Sequence, residues 1–284
     1  MNRNVCIVTD TGADFPKTFK NVIKVPLHFI FGEKSYDDDN ITNGEFDSNS
    51  NLNWPKTSAP SNGEYALAYE RAYESGFDRV LCLPITRRLS VSYESAIAAL
   101  DMVIHSNMHV EVIDTRSLTL GIGYLTEMLL EMIRDSSYSF QDLVKAASEF
   151  HKRETIFIAL NTLENLEKGG RASHVQGLAS RILNIKPILT VDDEGNLKVL
   201  DKVRTFSKTL DKVIERVLLI PSIKKVGVMY SDNKGLALSF SARLIEALNR
   251  YGVPISVFEV PVVQVCRALY VHAGRNAIGV CVIT

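Results

Sequence analysis

Short apolar runs alternate with helical patterns along the first half of the chain, and this alternation limits the possible folds more than any other feature. The runs at 5–9, 79–84 and 110–114 have the length and β-branched content of buried strands. Helical patterns begin after Ser61 and at Ala96, between these runs. Strands that alternate with helices form a mainly parallel sheet with helices on both faces. The sequence therefore predicts an α/β fold for this half.

The second half carries a different strand pattern. At 284 residues the chain is longer than one hydrophobic core usually supports, so we predict two domains. Two β-rich segments, 185–191 and 197–203, flank Asp-Asp-Glu-Gly-Asn, which indicates a hairpin. Further strands are predicted at 155–160, 226–230, 254–260 and 277–284. We expect an N-terminal α/β domain at 1–152 and a mixed-sheet α/β domain at 153–284.

Charge and composition exclude several classes of protein. The formal net charge is -1, with acids and bases spread along the chain, so nothing favours nucleic acid as a partner. No apolar run is long enough to span a bilayer. The four cysteines lack metal-type or redox-type spacing and are predicted to be reduced core residues. Because a strand begins within four residues of Met1, no signal peptide is expected, and we predict a cytoplasmic protein.

Two hydroxyl-rich turns are the main candidates for a binding site. One lies at 86–96, between the strand at 79–84 and a helix, and the other lies at 57–64. Ser61 and Glu64 have the spacing of a capping box at the start of the helix that follows the turn at 57–64. Hydroxyl groups and unpaired backbone N–H groups at a helix start can bind an anion.

Standard catalytic motifs are missing from the sequence. It contains no phosphate-binding GxxxxGK[ST] loop, no HExxH motif and no GxSxG motif. Asp37, Asp38 and Asp39 are consecutive, which favours a solvated turn over a metal site. A Ser–His–Asp triad could be assembled from Ser90, His272 and Asp10, but almost any chain of this size offers such a trio. We assign neither a catalytic residue nor a metal ligand.

Several separated segments carry a resemblance to a known family. They are Val-Thr-Asp-Thr-Gly-Ala-Asp at 8–14, Val-Pro-Leu at 25–27, Tyr-Asp-Asp at 36–38, Thr-Ser-Ala-Pro-Ser at 57–61, Leu-Ser-Val-Ser-Tyr-Glu-Ser-Ala at 89–96, Leu-Glu-Lys-Gly-Gly-Arg-Ala-Ser at 166–173 and Leu-Asn-Ile-Lys-Pro-Ile-Leu at 183–189. In this order, over nearly the whole length, they resemble the DegV family, the fatty-acid-binding proteins of bacterial fatty acid kinases.

The resemblance implies a lipid-binding protein that has no turnover of its own. The family binds one long-chain fatty acid in an apolar tunnel between two α/β domains, and a separate kinase subunit converts the carboxylate to an acyl-phosphate. It implies no cofactor beyond a bound fatty acid such as palmitate, stearate or oleate. The partners implied are the fatty acid and the catalytic kinase subunit. We expect a bacterial, cytoplasmic monomer with a role in lipid transport, and transient contact with a membrane stays open.

The resemblance also assigns a carboxylate site to the two hydroxyl turns. It implies that Thr57, Ser58 and Ser90 hold the head group, with Val91 and Ser92 beside them. A buried carboxylate without donors is very costly, and hydroxyl and backbone N–H groups can supply them.

Three basic residues are assigned in the same way. The resemblance places Arg171, in the Gly-Gly-Arg motif, and His272 near the head group, and Arg204 at the surface that docks the kinase. Each also has a simpler interpretation. Arg171 could form a surface ion pair at a helix end, His272 could be an ordinary packed or surface histidine, and Arg204 could be an ordinary solvated arginine.

The sequence departs from the family pattern at two places. Val91 stands where the family usually has glycine, and Ser92 stands where it has threonine. If that glycine serves a positive φ, valine should change the head-group contact. Arg275 and Asn276 replace Pro-Gly after His272-Ala273-Gly274. A member that has lost ligand binding through Val91 and Arg275 is therefore one alternative.

A second alternative is a small-molecule phosphotransferase or hydrolase. The dihydroxyacetone kinases share the broader fold group, and a histidine holds their small substrate. A short polar pocket around His272 would favour this alternative, whereas a long apolar tunnel would favour a lipid. The missing ATP-binding loop argues against an autonomous kinase.

Overall fold

The computed structural model describes residues 4–38, 46, 54–105, 107–135, 137–177, 185–253 and 260–284. The predicted loop at 40–53 lies outside these residues apart from Phe46, and so does the predicted strand at 254–260 apart from Val260. The chain divides into two compact units, Met1–His151 and Lys152–Thr284.

The N-terminal unit contains the predicted parallel sheet. Its described strands are β1 (Val5–Asp10), β2 (Val22–Val25), β3 (His28–Phe31), β4 (Lys34–Asp37), β5 (Lys56–Ser58), β6 (Arg79–Cys82) and β7 (His109–Val112). Its described α-helices are α1 (Asn62–Glu74), α2 (Ser92–Ala98), α3 (Leu120–Arg134) and α4 (Phe140–Glu149). Strands β2, β1, β6 and β7 lie side by side in that order, and every pair is parallel. All six residues of β1 are buried, as expected for a central strand covered on both faces.

A second, smaller sheet of this unit is antiparallel and consists of β3, β4 and β5. The run at 22–31 reads as one β-rich segment, but the structure divides it at Pro26. Proline has no N–H to continue a ladder, so β2 stays with β1 while β3 pairs with β4 and β5. The prediction of a solvated turn is wrong for Asp38, which is buried and whose N–H donates to the carbonyl oxygen of Leu27 at 2.9 Å.

Capping boxes begin two of the helices in this unit. Ser61 accepts the N–H of Glu64, whose carboxylate accepts the N–H of Ser61, as the sequence predicts. Ser139 and Asp142 form the same arrangement at α4. Satisfying these otherwise unpaired groups fixes where each helix starts. Helix α1 buries one stripe, which consists of Tyr65, Ala68, Tyr69 and Ala72.

The C-terminal unit contains one mixed sheet. Its described strands are β8 (Glu154–Ala159), β9 (Val175–Gln176), β10 (Lys186–Val191), β11 (Leu197–Val203), β12 (Lys225–Tyr230), β13 (Val262–Gln264) and β14 (Ile278–Ile283), and its described α-helices are α5 (Glu164–Lys168), α6 (Phe206–Leu218), α7 (Lys234–Arg250) and α8 (Arg267–Ala273). The order across the sheet is β13-β12-β14-β8-β10-β11-β9. The two outer pairs are parallel and the inner pairs are antiparallel. The predicted mixed sheet and the β10–β11 hairpin are confirmed.

The core of this unit lies where α6 and α7 cover the sheet. Val213 and Val217 of α6 and Phe240 and Leu244 of α7 are almost completely buried in one apolar cluster with the strands. Burial of such side chains stabilises the fold by about 1.5–3 kcal/mol each. Among the described residues, no helix combines the length and apolar character that crossing a bilayer requires.

Three of the four cysteines are core residues, as predicted, and Cys266 is not. All four are free thiols; Cys6, Cys82 and Cys281 are buried, and Cys266 is half-buried.

Candidate functional site

A buried acid, Asp10, lies at the centre of the polar residues in the N-terminal unit. It ends β1, and its Oδ1 accepts the N–H of Gly12 at 3.0 Å while its Oδ2 accepts the N–H of Ile85 at 3.1 Å. The hydroxyl of Tyr65 donates to Oδ2 at 3.4 Å. Complete burial raises the pKa of Asp10 to about 6, and hydrogen bonds from Ile85, Ser92, Gly12 and Tyr65 only partly oppose this rise.

The turn after β6 leads from Ile85 to the predicted serines. The hydroxyl groups of Ser90 and Ser92 are 2.9 Å apart, and Ser90 Oγ also accepts the N–H of Ser92 at 3.2 Å. Ser90 is half-buried, whereas Ser92 is fully buried and its side chain hydrogen-bonds Asp10. A line of polar groups thus runs from the turn into the unit, in the order Ser90, Ser92, Asp10.

Val91 fits its position without backbone strain. Its φ is -82° and its ψ is 14°, so the positive φ that would require glycine does not occur here. The side chain is 63% exposed. The structure therefore removes the conformational reason for expecting valine to reshape this turn.

The other hydroxyl turn begins on the small sheet. Thr57 and Ser58 lie on β5, paired in register with Phe29 and His28 of β3, and both are half-buried. The nitrogen Nε2 of His28 is 2.9 Å from a carboxylate oxygen of Glu64, which ties the small sheet to the start of α1.

Helix α1 connects the two turns. It begins at Asn62, four residues after Ser58, and the hydroxyl of its residue Tyr65 donates to Asp10. One turn further along, the hydroxyl of Tyr69 donates to the carbonyl oxygen of Ala96 on α2 at 3.0 Å. The helix therefore contacts both the buried acid and the element that carries Ser92.

In the C-terminal unit, Arg171 and His272 are neighbours. Burial and, to a smaller extent, the positive charge of Arg171 together lower the pKa of His272 to about 4. Burial also lowers the pKa of Arg171, whose Nη1 donates to the carbonyl oxygen of Gly169 at 2.8 Å. A neutral histidine thus lies beside a half-buried cation.

Two glycines allow this close packing. A Cβ at Gly169 would overlap the imidazole of His272, and a Cβ at Gly274 would overlap the side-chain amide of Asn165. Gly274 also has a φ of +77°, which side chains rarely adopt. The end of α5 can therefore approach α8 only because neither glycine has a side chain.

The loop after His272 is held in place by its own contacts. Asn276 has a φ of 57°, a conformation that asparagine tolerates better than most residues. Its N–H donates to Asp232 at 2.7 Å, and its side-chain oxygen accepts from Asn233 at 2.9 Å. Asparagine is therefore compatible with this turn, where the sequence departs from the family's Pro-Gly. Arg204 lies apart from this loop, exposed between β11 and the start of α6.

Sequence reasoning missed the role of Asp10 and of Tyr65. At the level of sequence, Asp10 is one member of an improbable triad and part of the family segment at 8–14, and Tyr65 belongs to the apolar stripe of the helix after Ser61. A signal for Asp10 was available, because an acid that ends a mainly apolar strand and lies two residues before a glycine must find donors in the next loops.

Comparison with known proteins decides the family. A family model described as "Uncharacterised protein, DegV family" matches residues 4–284. The chain belongs to the DegV family. A DegV domain-containing protein of Clostridium acetobutylicum is 34% identical over 251 residues, which make up 86% of this chain and 88% of that protein. The predicted family is confirmed.

Two solved structures with bound fatty acid or a fatty-acid-binding function have the same fold. A stearic acid-binding protein of Eubacterium ventriosum is 27% identical, with a TM-score of 0.83 over 98% of this chain and 97% of that one. The fatty acid kinase B3 protein of Streptococcus pneumoniae, solved with linoleic acid, is 20% identical, with a TM-score of 0.82 over 99% of both chains. The predicted fold class, with a parallel sheet followed by a mixed sheet, is confirmed.

Proposed function

We propose that this protein binds a long-chain fatty acid in an apolar tunnel and presents the carboxylate to a separate kinase subunit, which makes the acyl-phosphate. The likeness to the stearic acid-binding protein of Eubacterium ventriosum, at 27% identity over 98% of the chain, is the observation that carries this proposal. Burial of the tail, at about 0.8 kcal/mol per CH₂ group, would supply most of the affinity.

The hydroxyl turns suit a carboxylate because their side chains offer hydrogen-bond donors to it. In this proposal Ser90 donates to the acid, Ser92 supports Ser90, and Thr57 and Ser58 contribute from β5. Helix α2 has seven residues and no side-chain cap at Val91, so hydroxyl groups rather than a long helix dipole provide the attraction.

Arg171 and His272 complete the proposed head-group site. A neutral imidazole can donate one N–H to a carboxylate oxygen, and the guanidinium of Arg171 supplies the positive charge. Exposed Arg204 is proposed as part of the surface that docks the kinase subunit. The protein would act as a monomer in the cytoplasm, with no turnover of its own.

Native mass spectrometry of protein expressed in bacteria tests the proposal. We expect one fatty acid per chain, identified by lipid extraction. Protein that stays empty even after incubation with oleate or palmitate would contradict it. Phosphorylation of dihydroxyacetone by the isolated chain with ATP would instead support the small-molecule phosphotransferase.

The variant Ser90→Ala tests the head-group assignment. Loss of a hydrogen bond to a charged group should weaken oleate binding by about 1–3 kcal/mol. Ser148→Ala is the matched control, because this exposed serine bonds only the carbonyl oxygen of Val144 within α4 in the described contacts. Equal affinities for Ser90→Ala and the control would remove Ser90 from the site.

A further inference from the structure

The line from Ser90 through Ser92 to Asp10 has too few protons to serve every acceptor. Each serine hydroxyl carries one proton, and an ionised carboxylate carries none. The two serines share two contacts: their hydroxyl oxygens lie 2.9 Å apart, and Ser90 Oγ accepts the backbone N–H of Ser92 at 3.2 Å. In the contact between the hydroxyl groups, one hydroxyl must donate its proton to the other.

In the ionised state, Asp10 draws these protons inward. Ser92 donates to the carboxylate, since a charged acceptor is the strongest available. Ser90 must then donate to Ser92, and Ser90 Oγ is left as an acceptor for the N–H of Ser92. In this arrangement Ser90 has no proton to offer a ligand.

A bound carboxylate requires the opposite direction. It can only accept, so Ser90 must donate to it. Ser90 can then accept from Ser92, and Ser92 can accept from Asp10, provided that Asp10 carries a proton. One added proton thus reverses the whole line while keeping both hydrogen bonds.

We propose that Asp10 is a positioning residue of the fatty acid site, which takes up one proton from the solvent when the acid binds and thereby turns the hydroxyls of Ser92 and Ser90 toward the ligand. This inference rests on the proposed function. The proton remains on Asp10 while the ligand is bound and returns to the solvent on release.

The surroundings of Asp10 favour this exchange. The titratable groups that face it are the phenol of Tyr65 on α1 and the thiol of Cys82 on β6. Burial raises the pKa of both, so both are neutral near pH 7. Asp10 itself has a pKa of about 6 and lies 0% exposed, so an anion nearby readily shifts it to the neutral form.

Titration calorimetry with decanoate, in two buffers of different ionisation enthalpy, measures the proton directly. At pH 7 the wild type should take up about half a proton or more per bound acid, and its affinity should rise about fivefold or more from pH 8 to pH 6. Asp10→Asn should lose both effects. Asp101→Asn, an exposed aspartate of the same unit, is the control and should behave as wild type.

A second variant covers the case in which Asp10→Asn does not fold. Ser92→Ala leaves Asp10 and its backbone donors in place but cuts the line, and proton uptake should fall by about half or more. Uptake that both variants leave unchanged would place the proton on the ligand and overturn the role of Asp10. Wild-type binding without uptake would overturn that role alone, whereas a wild type that binds no decanoate, oleate or palmitate would overturn the proposed function as well.

Discussion

Each of the two units contains a polar group whose pKa is shifted by burial, and the two shifts have opposite directions. In the N-terminal unit burial moves the pKa of an acid, Asp10, up to about 6, and in the C-terminal unit it moves the pKa of a base, His272, down to about 4. The acid is held by hydrogen bonds from backbone and hydroxyl groups. The base is held by close packing that two glycines permit. Burial affects both groups, but hydrogen bonds hold Asp10 in place whereas close packing holds His272.

The two centres also respond to pH in opposite directions. The neutral form of Asp10 contributes stability that is fully present below pH 3.8 and is lost as pH rises through about 6. The neutral form of His272 contributes stability that is present above pH 6.5 and is lost as pH falls through about 4. Between pH 4 and pH 6 the two contributions oppose each other, so a flat pH profile of the whole protein would conceal both.

The largest expected effect comes from breaking the packing around His272. Gly274→Ala adds a methyl group against Asn165 at a φ of +77°, and we expect the free energy of unfolding to fall by about 2–4 kcal/mol. Urea unfolding followed by circular dichroism measures this. Gly235→Ala in α7 is the control, because its Cβ would meet nothing closer than 3.7 Å, and it should be neutral or stabilising by up to about 1 kcal/mol. Equal effects of the two substitutions would show that packing does not hold this centre.

The next effect isolates the base from the acid. Between pH 6.5 and pH 4.5, proton uptake by His272 in the unfolded chain should cost the wild type about 2–3 kcal/mol of stability relative to His272→Gln, because both proteins share the opposing contribution of Asp10. Urea unfolding at both pH values gives the difference. An NMR titration of the imidazole should show His272 neutral at pH 5.5. A variant with the same pH slope as the wild type would contradict the assignment.

The smallest effect concerns the N-terminal unit and the capping boxes of its helices. Ser61→Ala removes one capping box and Ser139→Ala removes the other, and each should lower the free energy of unfolding by about 1 kcal/mol. Thermal unfolding of the two variants measures both losses of stability. Glu64 also bonds His28, so Ser61→Ala should show the larger loss if the small sheet depends on the start of α1. Two equal losses would show that this link adds nothing.

Local patterns predicted most of the elements. The spacing of Ser61 and Glu64 marked a helix start correctly, and that of Ser139 and Asp142 has the same form, because a capping box is complete within four residues. The alternation of strands and helices and the hairpin likewise depend on near neighbours, and the two larger sheets formed as predicted.

Local sequence patterns could not predict contacts between residues that are far apart in the sequence. Asp10 meets the N–H of Ile85, which lies 75 residues away, and no spacing rule connects them. In the run at 22–31, Pro26 was the one sequence signal that two strands, rather than one, would form. The family pattern led us to consider a positive φ at Val91, whereas the backbone there is ordinary. The roles of Arg171, His272 and Arg204 stay predictions that rest on family resemblance.

The position of β14 has a consequence for synthesis on the ribosome. This strand comes after every other strand of its sheet in the sequence, yet it lies between β12 and β8 and is the element that joins them. Until residues 278–283 emerge, the sheet exists as two fragments whose facing edges have no partner strand. Unpaired edges attract other chains. The nascent C-terminal unit should therefore depend on chaperones until its last strand is inserted.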